Sequence, residues 1–487
     1  MNKTGGDGTE APVVVLFRND LRVADNRAFH SAAHSGKPVI CLFVIDESAS
    51  GPRPLGGARR WWLHHSLRAL GGEIEARGGR LLLRRGDMAS IVADIVSASG
   101  ADTVVWNRRY VPAAIATDSD MKQSLRAKGV SVESFEGHLL HEPSRLKTGA
   151  GGPYKVYSPF WRALASEPEP RDPLPAPKSL RSFDGTLSSD DLADWKLLPT
   201  APDWAAGLRA EWTPGEEGAR QRLDDFLSGP LAGYGDGRDI PGIASTSRLS
   251  PHLAHGEITP FQIWHALASR KIDAPGHDVE KFRKEIGWRE FSYHLLFHNP
   301  ELASANFNKA FDAFPWRPDK SAIEAWRRGL TGYPIVDAGM RELWSTGWMH
   351  NRVRMICASF LIKHLLQDWR EGEAWFWDTL VDADPASNAA SWQWVAGSGA
   401  DAAPYFRIFN PILQGEKFDP DGAYVRRFLP ELANLPDRHI HKPWEAPARV
   451  LSDAGVKLGE NYPVAVIEHG RARDRAMRAY DEMKGAQ

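Results

Sequence analysis

The sequence predicts an α/β domain at residues 12–140 and an all-α domain at 205–481, joined by a long linker at 141–204. Short apolar runs alternate with helical periods in the first segment, which is typical of a parallel sheet with helices on both faces. In residues 205–481 the apolar residues recur almost only with the spacing of helices. Proline, serine and aspartate are concentrated in residues 166–204, as expected of a linker that wraps the surface.

The predicted sheet of the α/β domain is Rossmann-like. Its strands are expected at 13–17, 38–45, 80–84, 103–106 and 130–135. Its helices are expected at 27–35, 58–77, 88–98 and 115–128. Residues 1–11 are polar and glycine-rich, which indicates a disordered start. No G-x-G-x-x-G follows the first strand, so the sequence does not favour a nicotinamide site.

The all-α domain shows periodic apolar positions along most of its length. Helices are expected at Glu217–Leu227, Thr259–Ala268, Asp278–Leu296, Lys320–Arg328 and Val336–Arg370. The cluster Gly233–Gly237 contains three glycines, but no strand precedes it. It is therefore predicted to be a loop between helices.

The composition is that of an ordinary globular protein with an excess of tryptophan. Hydrophobic residues make up 42% and charged residues 25%, and the formal net charge is -2, so a nucleic-acid partner would need a local basic patch. Cys41 and Cys357 stand in apolar surroundings, and neither a signal core nor a membrane-length apolar run is seen. These features predict a reduced protein of the bacterial cytoplasm, acting as a monomer. Tryptophans outnumber tyrosines 19 to 10, which suggests stacking or electron transfer besides core packing.

A hydroxyl-rich segment before a predicted helix is the first candidate site. Thr246, Ser247 and Arg248 precede Pro251. Free N–H groups at a helix start, together with hydroxyls and an arginine, suit a phosphate group. The alternative is an ordinary N-cap with proline in the first turn.

The second candidate site combines groups of opposite charge. Asn351, Arg354 and Met355 share a helix face by their spacing, and Asp382 or Asp384 is the natural partner of the arginine. The alternative is a structural ion pair between helices. Metal binding by the Asp-x-Asp pair is disfavoured because no histidine or further acid follows at a suitable spacing.

The third candidate site is Glu285 with Trp288, three residues apart on one predicted helix face. An acid beside a tryptophan suits a planar, polar ligand, although an amphipathic helix with one buried tryptophan is the simpler explanation. The sequence has no convincing nucleophile–base pair, no G-x-S-x-G and no Walker loop, which argues against hydrolases and nucleotide triphosphatases.

Taken together, these motifs resemble the DNA photolyase/cryptochrome family. The resemblance covers nearly the whole chain, from Leu16–Asn26 to Phe428–Pro430. The most specific blocks are Thr246–Glu257, Gly332–Ala338, Trp348–Arg354 and Asp382–Phe409, the last of which continues to Pro411. Within the family, the chain is most similar to a class I cyclobutane pyrimidine dimer photolyase.

The resemblance implies that the helical domain holds FAD in a U shape and binds damaged DNA. The implied cofactor contacts are Tyr234, Thr246, Ser247, Arg248, Leu249, Ser250, Arg354, Asp382, Asp384 and Asn388. The implied electron-transfer triad is Trp392, Trp369 and Trp316. The implied lesion pocket is lined by Glu285, Asn351 and Met355, with Trp288 and Trp394 against the flipped dimer. The implied contacts to backbone phosphates are Arg238, Arg352 and Arg407.

The implied reaction is light-dependent repair, in which photoexcited, reduced FAD passes an electron to a flipped-out dimer. A damaged pyrimidine pair stacks poorly, so flipping it costs less than flipping normal bases, and aromatic walls then offer it stacking. In this mechanism Glu285 is expected to be a protonated acid that donates a hydrogen bond to a thymine carbonyl.

Two sequence positions distinguish between the possible functions within the family. The (6-4) photolyases have a catalytic histidine where this chain has Asn351, and plant-type or insect cryptochromes have Asp or Cys where it has Asn388. Both positions favour dimer repair. The alternative is a cryptochrome-like flavoprotein that senses light or redox state and binds DNA without turnover.

The family usually carries a second, light-harvesting chromophore near the α/β domain. Pterin-binding members have an Asn-Glu pair where this chain has Ala113 and Ala114, and the segment Trp106–Pro112 departs from the deazaflavin pattern. Methenyltetrahydrofolate is the default expectation, with a deazaflavin or an empty site as alternatives. Asp46 and Arg108 are candidates to line such a site.

Overall fold

The computed structural model describes residues 10–47, 53–269, 271–402 and 406–485. Most of the start expected to be disordered therefore lies outside the described residues, as do Ala403–Tyr405 of the last sequence block.

The amino-terminal domain is built on a parallel sheet with strand order β3-β2-β1-β4-β5. The strands are β1 (Val13–Phe17), β2 (Val39–Ile45), β3 (Leu81–Arg85), β4 (Thr103–Asn107) and β5 (Ser131–Phe135). The helices are α1 (Arg27–Ala33), α2 (Gly57–Glu75), α3 (Met88–Ser99) and α4 (Pro112–Ala127). All these bounds lie within three residues of the predicted ones. The prediction succeeds because β1 and β2 are buried along their whole length, so both read as continuous apolar runs.

The linker is more ordered than its composition predicts. It contains helix α5 (Tyr157–Ala165) and then returns to the α/β domain. There Leu180 donates its N–H to the carbonyl oxygen of Arg77 at 2.8 Å, and Ser182 forms an isolated bridge with Val39 at the start of β2. The linker is thus fastened to both the sheet and the end of α2.

The carboxy-terminal domain is helical, as predicted. Its helices are α6 (Ala206–Glu211), α7 (Glu216–Ser228), α8 (Tyr234–Gly237), α9 (Ser250–His255), α10 (Pro260–Ser269), α11 (Gly276–His298), α12 (Lys320–Arg327), α13 (Pro334–Thr346), α14 (Asn351–Ser359), α15 (Trp369–Thr379), α16 (Pro385–Ala396), α17 (Pro411–Phe418), α18 (Ala423–Phe428), α19 (Asp437–Ile440), α20 (Ala448–Asp453) and α21 (His469–Gly485). Among the described residues, no helix has both the length and the hydropathy needed to cross a membrane.

Two predictions about this domain are wrong in detail. The expected loop Gly233–Gly237 includes the short helix α8, because the N–H groups of Gly233 and Gly235 both donate to the Asp278 carboxylate, at 2.8 and 2.6 Å. The long helical period from Val336 to Arg370 is interrupted. Gly347, with φ of +68°, ends α13, and a π-helical turn at Phe360–His364 follows α14.

The two domains share a buried polar contact centred on Glu257. Its fully buried carboxylate accepts from Trp62 Nε1 of α2 at 2.9 Å, from the N–H of Gly215 at 2.8 Å and from the hydroxyl of Ser66. His252 Nδ1 lies 2.5 Å from its other oxygen. Because α2 belongs to the α/β domain, this contact fixes that domain against the helical one.

Candidate functional site

A cavity of about 330 Å³ opens within the helical domain and is called the central cavity below. Most of the side chains singled out in the sequence line it. These are Tyr234, Arg238, Thr246, Ser247, Arg248, Leu249, Ser250, Glu285, Asn351, Arg354, Met355, Asp382, Asp384, Asn388 and Trp392. Residues from α8 to α16 therefore meet at one site, although they are more than 150 positions apart at the extremes.

The predicted arginine–acid pair is present, and its acid is Asp382. Arg354 Nη2 lies 2.8 Å from Asp382 Oδ2, which also accepts from Ser250 Oγ at 2.6 Å. The Asp382 side chain is only 3% exposed, and its Oδ1 has no hydrogen-bond partner among the described residues. A buried carboxylate oxygen that lies at a cavity wall without a hydrogen-bond partner is a strong acceptor for an N–H group of a ligand.

Asp384 and Asn388 are held in place by the start of α16. Asp384 Oδ1 caps the helix by accepting from the N–H groups of Ala386 and Ser387, and its Oδ2 accepts from the Tyr293 hydroxyl at 2.6 Å. Asn388 Nδ2 donates to the Glu373 carboxylate at 2.8 Å, which leaves the amide oxygen as the group available to a ligand. Both side chains are thus preorganised.

The hydroxyl-rich segment partly departs from the expected phosphate site. The Arg248 guanidinium is paired with Glu211 at 2.5 Å and lies between the rings of Trp212 and Trp348, at 4.7 and 4.5 Å. Its charge is therefore already balanced by a carboxylate. The hydroxyl side chains of Thr246 and Ser247 remain on the cavity wall and are the polar groups offered there.

Glu285 is an ion-pair partner rather than the isolated acid expected. Its carboxylate pairs with the Arg238 guanidinium, and the side chain is 29% exposed. Burial lowers the pKa of Arg238, but the hydrogen bond and charge of Glu285 outweigh this effect, so its pKa lies above the usual value. The pairing places the Glu285 carboxyl group beside a guanidinium, and the hydrogen bond expected from Glu285 to a thymine carbonyl stays a prediction.

Four residues assigned to DNA lie outside the lining of the central cavity. Trp288 stacks on Tyr157 of the linker, with ring centroids 3.6 Å apart and planes at 8°. Arg352 is paired with Asp239 at 2.9 Å. The remaining two side chains, Trp394 and Arg407, line a smaller cavity of about 20 Å³.

This smaller cavity, called the side cavity below, adjoins the central one. Val395 lines both cavities, which makes them neighbours. Lys363 also lines the side cavity and was missed by sequence reasoning. Its Nζ donates to the carbonyl oxygen of Arg407 at 2.9 Å and lies 3.8 Å from the centre of the Phe406 ring.

Two of the three tryptophans of the expected triad, Trp392 and Trp369, are buried, and only Trp316 is partly exposed. Trp392 lines the central cavity, Trp369 is fully buried with its Nε1 bonded to Asn306 at 2.9 Å, and Trp316 is half-buried. A Cβ on Gly372 would lie 2.1 Å from Trp392 Cη2, so Trp392 packs directly on α15. Trp369 and Gly372 are three residues apart on this helix, so Trp392 lies over the face that carries Trp369.

The site also contains residues that sequence patterns did not reveal. Phe376 packs edge-on against Trp392, with centroids 4.9 Å apart. Arg59 of α2 is buried near the acids, and burial lowers its pKa while Asp384 and Asp382 oppose that effect. A local pattern could not identify Arg59, because its partners lie in the other domain.

A second cavity of about 150 Å³ lies between the two domains and is called the inter-domain cavity below. Asp46 and Arg108, the two residues proposed for a second chromophore, both line it. Tyr110 from the α/β domain and Trp377 from α15 are further aromatic walls.

Comparisons with known proteins agree with this architecture. Residues 13–178 match the family described as DNA photolyase, and residues 282–482 match the FAD binding domain of DNA photolyase. A deoxyribodipyrimidine photo-lyase of Agrobacterium fabrum is 60% identical, covering 97% of this chain and 98% of that protein. Cryptochrome-1 of Arabidopsis thaliana is 38% identical, covering 98% of this chain and 71% of that protein. The solved structure of a class III photolyase from Agrobacterium tumefaciens superposes with a TM-score of 0.96 and 59% identity, covering 99% of this chain and all of that one.

The chain belongs to the DNA photolyase family and carries its FAD-binding domain. It is an enzyme of the photolyase type, as its full-length relatives named deoxyribodipyrimidine photo-lyase show. The expected subclass needs correction, because the relative that matches at 59% identity is a class III and not a class I photolyase. The sequence argument from Asn351 and Asn388 concerned (6-4) photolyases and cryptochromes, and it did not address the choice between dimer-repairing classes.

Proposed function

We propose that this protein is a class III photolyase that splits cyclobutane pyrimidine dimers in DNA under light. One observation carries the proposal: a single cavity is lined both by the Arg354–Asp382 pair and by Glu285, Asn351 and Met355. The same cavity therefore offers groups suited to a flavin and groups suited to a damaged base pair.

The lining of the central cavity fits FAD. Asp382 has a buried, unpartnered oxygen among the described residues, and Asp384 stands beside it, so the two acids would accept from the N–H edge of a flavin. The hydroxyls of Thr246 and Ser247 would bind its phosphates, and Tyr234, Arg248, Leu249 and Ser250 would complete the wall. Reduced FAD bound there would supply, on absorbing light, the electron that opens the cyclobutane ring.

The protein side chains perform three tasks around that chemistry. Asn388, fixed by Glu373, would offer its amide oxygen to the flavin. Trp392, Trp369 and Trp316 would carry electrons inward from the surface to restore the reduced state. Arg354 is paired with the buried carboxyl group of Asp382, which would offer a preorganised acceptor to the edge of a bound flavin.

The damaged bases would lie between the central and side cavities. Trp288 has one ring face covered by Tyr157, which leaves the opposite face for a base. Trp394 lines the adjoining cavity, and Arg238, Arg352 and Arg407 would contact the flanking phosphates.

The second candidate is a cryptochrome-like flavoprotein that senses light without repair. The 38% identity to a plant cryptochrome supports it. Asn388 in place of aspartate or cysteine favours the photolyase, and Asn351 in place of histidine argues against (6-4) repair.

The test is a repair assay with purified protein, a reductant and an oligonucleotide that carries one thymine dimer. We expect loss of the dimer under near-UV or blue light, with no loss in the dark or with a (6-4) substrate. A protein that keeps its flavin and binds this DNA, yet leaves the dimer intact in light, would be a sensor.

A second chromophore belongs to the proposal. The inter-domain cavity, with Asp46 and Arg108 in its wall, is where a small aromatic light absorber would bind. Methenyltetrahydrofolate is the expected molecule, and a deazaflavin is the alternative. An absorption spectrum before and after denaturation tests this, since a released band that is not due to flavin identifies the chromophore.

We further propose that the protein acts as a monomer in a bacterial cytoplasm. Size-exclusion chromatography with light scattering tests the oligomeric state.

A further inference from the structure

Two of the arginines expected to bind DNA phosphates are already bound to carboxylates in the protein. Arg352 Nη2 lies 2.9 Å from one oxygen of Asp239, and Arg238 Nε lies 4.0 Å from the other. Arg238 is also paired with Glu285. A single carboxylate thus lies between two guanidinium groups, in contact with Arg352 and within ion-pair range of Arg238, where a phosphate group would meet both positive charges.

The arginines are held in place independently of this carboxylate. Arg352 lies 4.4 Å from the centre of the Phe418 ring, and its Nη1 approaches Met355 Sδ at 3.8 Å. Arg238 lies 5.5 Å from the centre of the Tyr234 ring. The guanidinium groups therefore remain in position when an anion other than Asp239 takes their charge.

The carboxylate is the most accessible member of the group. The side chain of Asp239 is 35% exposed, whereas those of Arg238 and Arg352 are 12% and 19% exposed. An incoming phosphate can therefore displace Asp239 into solvent at little cost in desolvation, while the arginines stay against their rings.

We propose that Asp239 is a specificity-determining residue that occupies the phosphate-binding position of Arg238 and Arg352 until damaged DNA displaces it. This inference rests on the proposed DNA-repair function. Undamaged DNA would have to displace Asp239 without placing a base in the central cavity, so it would bind weakly. A dimer that enters the cavity adds contacts that compensate for the displacement, so damaged DNA is favoured.

The test compares Asp239→Asn with the wild-type holoprotein in equilibrium binding to undamaged and dimer-containing duplexes, from 50 to 200 mM salt. We expect affinity for the undamaged duplex to rise on the order of tenfold and affinity for the damaged duplex to rise less, so that the ratio between them falls. The salt dependence should steepen by about one unit of slope, because one more phosphate is neutralised without a competing carboxylate.

Asp236→Asn is the matched control. Asp236 is an exposed residue of α8, three positions before Asp239, which lies in the turn that follows this helix, and its replacement makes the same change in net charge. We expect it to leave the ratio of the two affinities unchanged. An equal rise for both DNAs in Asp239→Asn, no rise at all, or the same effect from Asp236→Asn would overturn the proposal. Asp239→Ala is the second variant, and it must move the ratio in the same direction.

A double variant, Arg238→Ala with Arg352→Ala, separates this inference from the proposed function. If it weakens DNA binding while Asp239→Asn changes nothing, the arginines bind DNA but Asp239 does not compete for them. If it leaves binding unchanged, the inference is wrong because its arginines do not contact DNA. In either case the light-driven loss of the dimer still decides the proposed function.

Discussion

Lys363 is a lysine buried beside the residues expected to contact DNA. Its side chain is 1% exposed, and burial lowers its pKa to about 7. Between pH 7 and the ordinary pKa of lysine, the unfolded chain binds a proton at Lys363 that the folded chain does not. The free energy of unfolding therefore rises with pH, by up to about 1.4 kcal/mol per pH unit. Below pH 7 both states are protonated, and the full cost of burying the charge is present.

Lys363→Met should therefore stabilise the protein most at low pH. The variant loses the hydrogen bond to the Arg407 carbonyl but no longer buries a charge. We expect its advantage over the wild type to be largest at pH 6.5 and to shrink by more than about 1 kcal/mol by pH 9. Urea unfolding at both pH values measures the difference, and a gap that does not change with pH would contradict the assigned pKa.

Trp392→Phe tests the electron route at the level of one side chain. The substitution keeps a ring against α15 but removes the indole that can be oxidised. We expect photoreduction of the oxidised flavin to be lost, while chemically pre-reduced protein still repairs the dimer. Trp394→Ala should show the reverse, with weaker dimer binding and intact photoreduction. Finding each variant with the other's phenotype would exchange the two assignments.

The partner of a single residue was predictable from the sequence where few candidates of the right charge were available. Arg354 needed an acid, and the sequence offered only Asp382 and Asp384 as natural candidates, one of which is the partner. Arg248 was not predictable, because Glu211 neutralises it and Trp348 stacks on it from segments far along the chain. Charge neutralisation between distant segments leaves no local signal.

At the scale of elements, the contact between α15 and α16 depends on a glycine. A Cβ at Gly372 would lie 2.1 Å from Trp392 Cη2 and 2.7 Å from Leu361 Cδ2. Gly372→Ala should therefore lower the free energy of unfolding by about 1–3 kcal/mol and reduce the flavin retained on purification, because it displaces a wall of the central cavity. Urea unfolding and the flavin-to-protein absorbance ratio measure the two effects.

Gly71→Ala provides the matched control within helix α2. A Cβ at Gly71 meets nothing within 4 Å, so alanine should stabilise the helix by up to about 1 kcal/mol and leave flavin content unchanged. If both variants behave alike, the close contact at Gly372 has no functional consequence.

Element boundaries were predictable in the sheet and less so in the helical domain. Buried parallel strands are bounded by polar turns, so their ends are visible in sequence. The break between Val336 and Arg370 depends on the left-handed Gly347 and on a π-helical turn whose Lys363 bonds to the distant Arg407. An apolar period continues across such a turn, so periodicity alone predicts one helix.

At the scale of the whole molecule, Glu257 joins the two domains. Glu257→Ala would leave the buried donors of Trp62, Ser66 and Gly215 without a partner, and we expect it to cost about 3–5 kcal/mol. The loss should appear as one shifted unfolding transition when circular dichroism and flavin fluorescence are followed together.

Glu217→Ala is the control for this prediction. Glu217 pairs with Arg220 on the surface, with a side chain 69% exposed, and its loss should cost no more than about 1 kcal/mol. Two separate transitions in Glu257→Ala, or a loss no greater than that of Glu217→Ala, would show that the domains are not coupled through Glu257.

The coupling of the domains was the part of the fold least visible in sequence. The motif that contains Glu257 suggested a phosphate site, yet Glu257 and His252 form the buried contact with α2. Arg59 reaches the acids of the site from the same helix. Glu257 lies 195 positions from Trp62, and Arg59 lies more than 300 positions from Asp382 and Asp384, so only the folded chain brings these groups together.

The stacking of Tyr157 on Trp288 bears on how such proteins can be recombined. Tyr157 belongs to the linker, so the wall beside the lesion is completed by a segment outside the helical domain. A chimera that joins another family member's amino-terminal domain at residue 204 would import a foreign linker and lose this partner. A junction near residue 140 would keep Tyr157 with its own tryptophan, and functional chimeras should have their crossovers there.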